Sequence, residues 1–355
     1  MTPIAPFVFP GLRSRVIFGA GTIARTGAEV ERLGRSRALV LSTPNQEADA
    51  HALADRLGPL SAGVFTEAAM HTPVEVTEKA LAVFSGSGAD CVVALGGGST
   101  TGLGKAIATR TGTDQVVIPT TYAGSEMTDI LGETAGGEKT TRRDASILPE
   151  TVIYDVDLTL TLPVGMTVTS GLNALAHAAE ALYAEDRNPV IALMSAEAIR
   201  ALAEALPAVV RDPSDVEARS LAQYGAWLCG IALGGSAMAL HHKLCHTLGG
   251  SFGTPHAETH AILLPHTVGF NAGAAAGLLE PVAKAFGDTP GRGLFRFARD
   301  LGSPMRLADF GLTEADLDRA AEIATRNPYS NPRPFDRQQI RSLLQDALEG
   351  RQPPQ

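Results

Sequence analysis

From Arg15 to Tyr154 the chain alternates short runs that are apolar at nearly every position with longer stretches in which apolar residues recur at helical spacing. The short runs are Arg15–Phe18, Ala38–Ser42, Gly63–Thr66, Cys91–Leu95, Val116–Pro119 and Val152–Tyr154. Strands apolar on both faces are buried on both faces, which is the habit of parallel sheets. Between them TIARTGAEVERLG, NQEADAHALADRLG and PVEVTEKALAVFSG read as helices. Regular alternation of the two predicts a parallel sheet covered by helices. After Leu162-Pro163 the strand signal stops. SGLNALAHAAEALYA, VIALMSAEAIRALAEAL and EARSLAQYGAWLCGIALGG keep a helical period, broken at Asn188-Pro189 and Asp212-Pro213. The pattern predicts an α/β domain over residues 1–160 and an all-helical domain over residues 161–355.

Composition narrows the class of protein. A chain of 355 residues suits two domains and needs no disulfide to hold its core. Twenty-nine basic against thirty-eight acidic residues, a formal charge of −9, argue against a nucleic-acid or anionic-membrane partner. A small anionic substrate needs only a local cationic pocket. Cys91, Cys229 and Cys245 lack CxxC spacing and fit a reducing compartment. The opening residues lack the apolar run of a secretory signal, and no uncharged stretch would span a bilayer. The expectation is a soluble cytoplasmic protein.

Two loops carry candidate chemistry in the first domain. In DCVVALGGGSTTGLGK a strand ends at Leu95, a Gly-Gly-Gly-Ser turn follows, and a helix begins near Thr100. Glycines permit close backbone approach, and the N-terminus of a helix attracts phosphate. The turn is neither GxGxxG nor a Walker A loop. PTTYAGSEMT, Pro119–Thr128, again follows a strand and supplies Thr120, Thr121 and Ser125 as hydroxyls. Parallel sheets bind ligands at such loops, beyond the carboxyl ends of their strands. After Leu41 come Ser42, Thr43, Pro44 and Asn45, with no acid to hold a ribose 2′-hydroxyl. If this turn meets the adenosine end of a nucleotide, NADPH is accepted beside NADH.

The second domain carries an unusual density of histidine. Six of the nine histidines fall between positions 241 and 266. His242 and His246 are four apart and share a helix face, as do Asn173 and His177. Histidines first suggest a metal, and His177, His242 and His256 offer the three nitrogens that catalytic zinc accepts. The fourth candidate is Asn173, whose neutral carboxamide is a poorer ligand than a carboxylate and compensates no charge. A pocket without a fixed anion suits a substrate bearing carboxylates, held by His, Lys243 and Arg333. His241, His260 and His266 read as packing or surface residues.

These residues bear a resemblance. The chain resembles the iron-containing alcohol dehydrogenase superfamily over nearly its full length, and within it the maleylacetate-reducing branch. GGGS stands at Gly96–Ser99 with Lys105 in place, but Gly102 occupies the position of the family's Asp. Pro119–Thr121 begin the second loop. The metal-ligand positions of the family fall on Asn173, His177, His242 and His256, so Asn173 breaks the metal pattern at its one anion. GGGSTTGLGKAIA, PTTYAGSEMT, SGLNALAHAAEALYA and NPYSNPRP together match the branch thought to work without metal.

The resemblance implies a dehydroquinate synthase-like fold, with a dinucleotide-binding domain followed by an all-helical one. It implies NADH or NADPH, with Gly97, Gly98 and Ser99 on the pyrophosphate. Thr120, Thr121, Ser125 and Lys139 would serve the ribose and nicotinamide side, and Ser42, Thr43 and Asn45 the adenosine end. It implies reduction of the C=C bond of maleylacetate to 3-oxoadipate in bacterial breakdown of aromatic compounds, by a homodimer. His242 or His246 would supply the proton or hold the developing oxyanion, with His177 and His256 orienting. Lys243, Arg333, Asn173 and Tyr329 are the candidates for substrate contact. Two other readings are a metal-dependent alcohol or polyol dehydrogenase and a non-catalytic nucleotide-binding protein.

Overall fold

The computed structural model describes residues 7–9, 11, 13–136 and 138–354, with backbone alone at Glu138 and Lys139. The described residues divide into two compact units, residues 13–162 and residues 163–354, and residues 7–9 and 11 group with the second, not with the first as an α/β domain over residues 1–160 would have them. The break falls at Leu162/Pro163, two residues past the expected boundary. Pro163 is extended and opens the first helix of the second unit, where its missing N–H costs nothing.

In the first unit the order is β1 (Arg15–Phe18), α1 (Thr26–Arg32), β2 (Ala38–Leu41), α2 (Glu47–Leu57), β3 (Ser61–Phe65), α3 (Val74–Ser87), β4 (Cys91–Gly96), α4 (Gly98–Thr111), β5 (Asp114–Pro119), β6 (Ile130–Ala135), β7 (Glu138–Arg143) and β8 (Thr151–Tyr154). Six strands form a parallel sheet in the order β1-β8-β5-β4-β2-β3. The all-apolar runs have a direct cause. Cys91, Val93 and Leu95 of β4 pack on one face with Val30, Leu53 and Leu57 of α1 and α2. Val92 and Ala94 pack on the other with Ala80, Phe84, Leu103 and Ile107 of α3 and α4.

The antiparallel hairpin β6–β7 has no counterpart among the expected strands. Its inward face is Leu131 and then Glu133, whose carboxylate pairs with Arg110 at 2.8 Å. A buried carboxylate at an inward position leaves no apolar alternation to read. The helix after the glycine turn starts at Gly98, two residues before the expected Thr100.

The second unit is helical: α5 (Val164–Leu182), α6 (Pro189–Arg211), α7 (Val216–Gly235), α8 (Leu240–Phe252), α9 (His256–Asn271), α10 (Glu280–Phe286), α11 (Pro290–Asp300), α12 (Glu314–Arg326) and α13 (Arg337–Glu349). Asn188 caps α6 by accepting from the Ile191 N–H, with Pro189 at the first helical position. Leu240, Leu244 and Leu248 of α8 pack with Ile262, Leu317, Ile340 and Leu344 from α9, α12 and α13. That leaves the other face of α8 for His242 and His246. Helices α9 and α11 meet backbone to backbone: a Cβ on Gly291 would lie 2.6 Å from the Gly269 Cα and 2.7 Å from the Pro265 carbonyl. Among the described residues no helix is long and apolar enough to cross a membrane.

Candidate active site

In the first unit the chemistry lies where β4 and β5 end. Gly96 has φ +149°, and a side chain there would strike Thr100 Oγ1 at 2.4 Å and Gln46 Oε1 at 2.9 Å. A Cβ on Gly97 would stand 2.9 Å from Thr121 Oγ1. Gly96 is thus required by Thr100 and Gln46, and Gly97 by the closeness of the second loop. No side chain caps the start of α4, so its first N–H groups are left for an anion. The loops are tied together: the Thr120 N–H donates to the Gly96 carbonyl at 3.1 Å, and Gln46 Nε2 donates to Thr120 Oγ1 at 3.2 Å. Gln46 was not singled out from sequence; it lies one residue past the Ser42–Asn45 turn. Of that turn, Ser42 is buried and donates its hydroxyl to the Thr43 carbonyl, Thr43 is half-buried, and Asn45 is exposed. Lys139 falls on β7, and its side chain lies outside the described residues.

In the second unit helix α5 places Asn173, His177 and Glu180 along one face, all buried. Glu180 is the centre of the arrangement. Its carboxylate accepts from the Ala239 N–H at 3.0 Å and the His241 N–H at 2.7 Å, which pins the start of α8. It also accepts from His242 Nδ1 at 2.6 Å. The network therefore assigns the tautomer: Nδ1–H faces Glu180, and the lone pair of His242 sits on Nε2, which is buried without a partner. The Asn173 Oδ1 and His177 Nδ1 atoms are likewise buried and unpartnered. His177 packs 5.1 Å from His242, centroid to centroid. Burial first, and then its neighbouring rings, hold His177 well below the usual imidazole range.

A second chain of polar groups stands behind the first. The Thr267 hydroxyl donates to the Leu263 carbonyl and accepts from His241 Nδ1 at 3.0 Å; His241 Nε2 accepts from His260 Nδ1 at 2.9 Å. His260 therefore carries its lone pair on Nε2, beside His256 and His242 at ring distances of 4.5 and 5.0 Å. Burial holds His241 and His260 well below the usual imidazole range, and lowers His266 to about 4.

The remaining expected residues form a rim. His246 and Tyr329 are exposed, with the His246 Nδ1 3.4 Å from the Tyr329 hydroxyl. The Lys243 ammonium lies 5.4 Å from the Tyr329 ring centre. His256 is exposed at the first position of α9. Arg333, also exposed, stacks on Phe270 at 4.0 Å and donates to its carbonyl. Asn331, two residues earlier, exchanges amide hydrogen bonds with Asn271.

At the family's metal-ligand positions the donor set carries no anion. It holds three neutral imidazoles and a carboxamide, and the carboxylate of Glu180 is spent on two N–H groups and His242. Among the described residues the three His, Cys, Asp or Glu ligand atoms that converge within 4.8 Å belong instead to His241, Cys245 and His260. Within that group His241 Nε2 already faces His260 Nδ1 at 2.9 Å and Cys245 Sγ at 3.5 Å, while His260 Nε2 is buried without a partner.

Glu180 was missed from sequence, although a signal was present: it is the one carboxylate in SGLNALAHAAEALYA, three residues past His177 and on its face. His241 and His260 had been read as packing or surface.

Comparison with known proteins agrees with this picture. Residues 13–156 match the family described as iron-containing alcohol dehydrogenase, and residues 167–348 match the C-terminal part of the Fe-containing alcohol dehydrogenase family. The chain is 60% identical to a maleylacetate reductase of Rhizobium sp. (strain MTP-10005), covering 98% of this chain and 99% of that one. It is 53% identical to a maleylacetate reductase of Burkholderia cepacia, with 98% and 99% covered. The crystal structure of maleylacetate reductase from Agrobacterium tumefaciens superposes with a TM-score of 0.96 at 60% identity, covering 99% of this chain and 100% of that one. The chain belongs to the iron-containing alcohol dehydrogenase family.

Proposed function

We propose that this chain reduces the C=C bond of maleylacetate to give 3-oxoadipate, with NADH or NADPH as reductant and without a metal. The observation that carries the mechanism is the buried Glu180–His242 pair beside a carboxamide at position 173.

Maleylacetate is a dicarboxylate whose C=C is conjugated to a ketone. The reduced nicotinamide supplies a hydride to the carbon β to the ketone. The electron pair of the C=C then moves onto the ketone oxygen as an enolate, and the α carbon takes a proton. His242 is suited to give that proton. As an imidazolium it keeps Nδ1–H on Glu180, whose carboxylate offsets the charge, and it presents Nε2–H. Once Nε2–H has left, the ring rests as the neutral tautomer that the network already favours. A positioned acid of this kind contributes roughly 100- to 10,000-fold in rate.

His177 and His256 flank this acid, and an N–H from either would stabilise the enolate oxygen. Lys243, with Tyr329 and His246 beside it, supplies the cationic rim for a substrate carboxylate, and Arg333 offers its remaining N–H groups to the other. In the first unit the uncapped start of α4, with Gly97, Gly98 and Ser99, fits a pyrophosphate. Thr120, Thr121 and Ser125 supply hydroxyls for the ribose and carboxamide. The reading carries with it a cytoplasmic homodimer in the breakdown of aromatic compounds.

The test is consumption of NADH and of NADPH with maleylacetate by enzyme stripped with a strong chelator. Full activity after stripping is expected. Activity lost on stripping and restored by Fe²⁺ or Zn²⁺, or turnover of short alcohols in place of maleylacetate, would replace this reading with a metal-dependent alcohol dehydrogenase.

A further inference from the structure

One fully buried charge has no part in the chemistry above. Lys105 lies on α4, six residues past Ser99, and no part of its side chain reaches solvent. A buried ammonium is costly unless every proton is bonded, and here every proton is. Nζ donates to the Ser125 carbonyl at 2.5 Å, to Thr128 Oγ1 at 2.9 Å and to the Ile130 carbonyl at 3.0 Å. Three donors meet three acceptors, all within one six-residue segment.

That segment is the far end of the hydroxyl loop and the start of β6. The helix that carries Lys105 begins at the glycine turn. We propose that Lys105 is a positioning residue for the nucleotide: its ammonium fixes the Thr120–Ser125 loop at a set distance from the start of α4, so that the phosphate-facing N–H groups and the ribose-facing hydroxyls are held ready together. The inference rests on the assignment of these two loops to NAD(P)H. Neighbouring groups agree with it. Glu126, on the same segment, is buried and accepts from the Tyr154 hydroxyl at 2.9 Å, which anchors the loop to β8. An apolar residue would serve the core of α4 equally well, since Leu103 and Ile107 already do so. The charge is explained by what it holds in place.

The test uses the full chain with Lys105→Met and Lys105→Arg. Dissociation constants for NADH and NADPH are read from the change in nucleotide fluorescence, alongside KM and kcat with maleylacetate. Losing interactions that serve ground and transition states alike raises KM and leaves kcat. The expected result for Lys105→Met is about a tenfold or larger rise in Kd and KM for the nucleotide, with kcat at saturation within about threefold of wild type. Lys105→Arg, which keeps the donors, recovers part of the loss. A Met variant that melts earlier yet binds nucleotide as wild type does would overturn the proposal, since Lys105 would then serve the fold alone. Should Lys105→Met not fold, Thr128→Val decides. It removes one acceptor and keeps the charge, and is expected to raise KM for the nucleotide a few-fold; an unchanged value overturns the proposal. Wild-type enzyme that binds neither nucleotide would instead sink the assignment of the loops, a result separable from either variant's.

Discussion

In the unit of residues 13–162, polar groups gather at strand ends and are tied to the backbone: Gln46 to Thr120, Lys105 to Ser125 and Ile130. In the unit of residues 163–354 they are aromatic rings sunk into a bundle of helices, with tautomers dictated from behind by Glu180 and by Thr267. The first arrangement presents N–H and O–H donors and suits the phosphates and hydroxyls of a nucleotide. The second presents bare ring nitrogens and one stored carboxylate, and suits the movement of a proton. The proposed function gives nucleotide binding to one unit and proton chemistry to the other, and this division can be tested.

The largest effect is expected from His242→Ala. It should lower kcat by about 100- to 10,000-fold while Kd for NADH stays near wild type; steady-state kinetics beside fluorescence titration measure both. Glu180→Gln keeps the shape but loses the charge that offsets an imidazolium, and should lower kcat by about ten- to a hundredfold with cofactor affinity again unchanged. If that variant instead weakened nucleotide binding, the division of labour would be wrong. Gly97→Ala is the converse probe. Its methyl would meet Thr121 at 2.9 Å, so the nucleotide Kd should rise about tenfold with the histidine chemistry intact.

The smallest effects are on pH dependence, and the two units should differ in range. Burial lowers the protonation of His177, His241, His260 and His266 in the folded state, the last to about 4. Their contribution to stability is present above about pH 6.5 and is lost as pH falls toward the folded values. The melting temperature should therefore drop between about pH 6.5 and 4. A flat profile there would contradict the neutral ring cluster. Burial lowers Lys105 from its ordinary value to about 7. Its penalty is complete below that point and relieved as pH rises toward about 10.5, so wild type should gain on Lys105→Met over the same alkaline range.

The parallel sheet was legible because its strands are apolar on both faces, a pattern that few other structures produce. The β6–β7 hairpin was not, since Glu133 takes an inward position and is paired rather than apolar. The histidine site was visible from density and spacing alone, yet spacing reports which face a residue occupies and not how deep it lies. Thus His242 and His246, equal in the sequence, separate into a buried ring and an exposed one. His260, which reads as a packing or surface residue, is hydrogen-bonded to His241 and stands within the ring cluster. A lone carboxylate in an apolar helix was the readable trace of Glu180.

The contact of Gly269 with Gly291 bears on all of this. Helix α9 carries His256, His260 and Thr267, and where Gly269 meets Gly291 it rests on α11 with no side chain between the two. A single methyl at Gly291 has nowhere to go except against the α9 backbone, and would shift every ring that this helix supports. The place of His256 and His260 thus depends on two glycines that carry no chemistry, and the tolerance there is less than the width of one carbon.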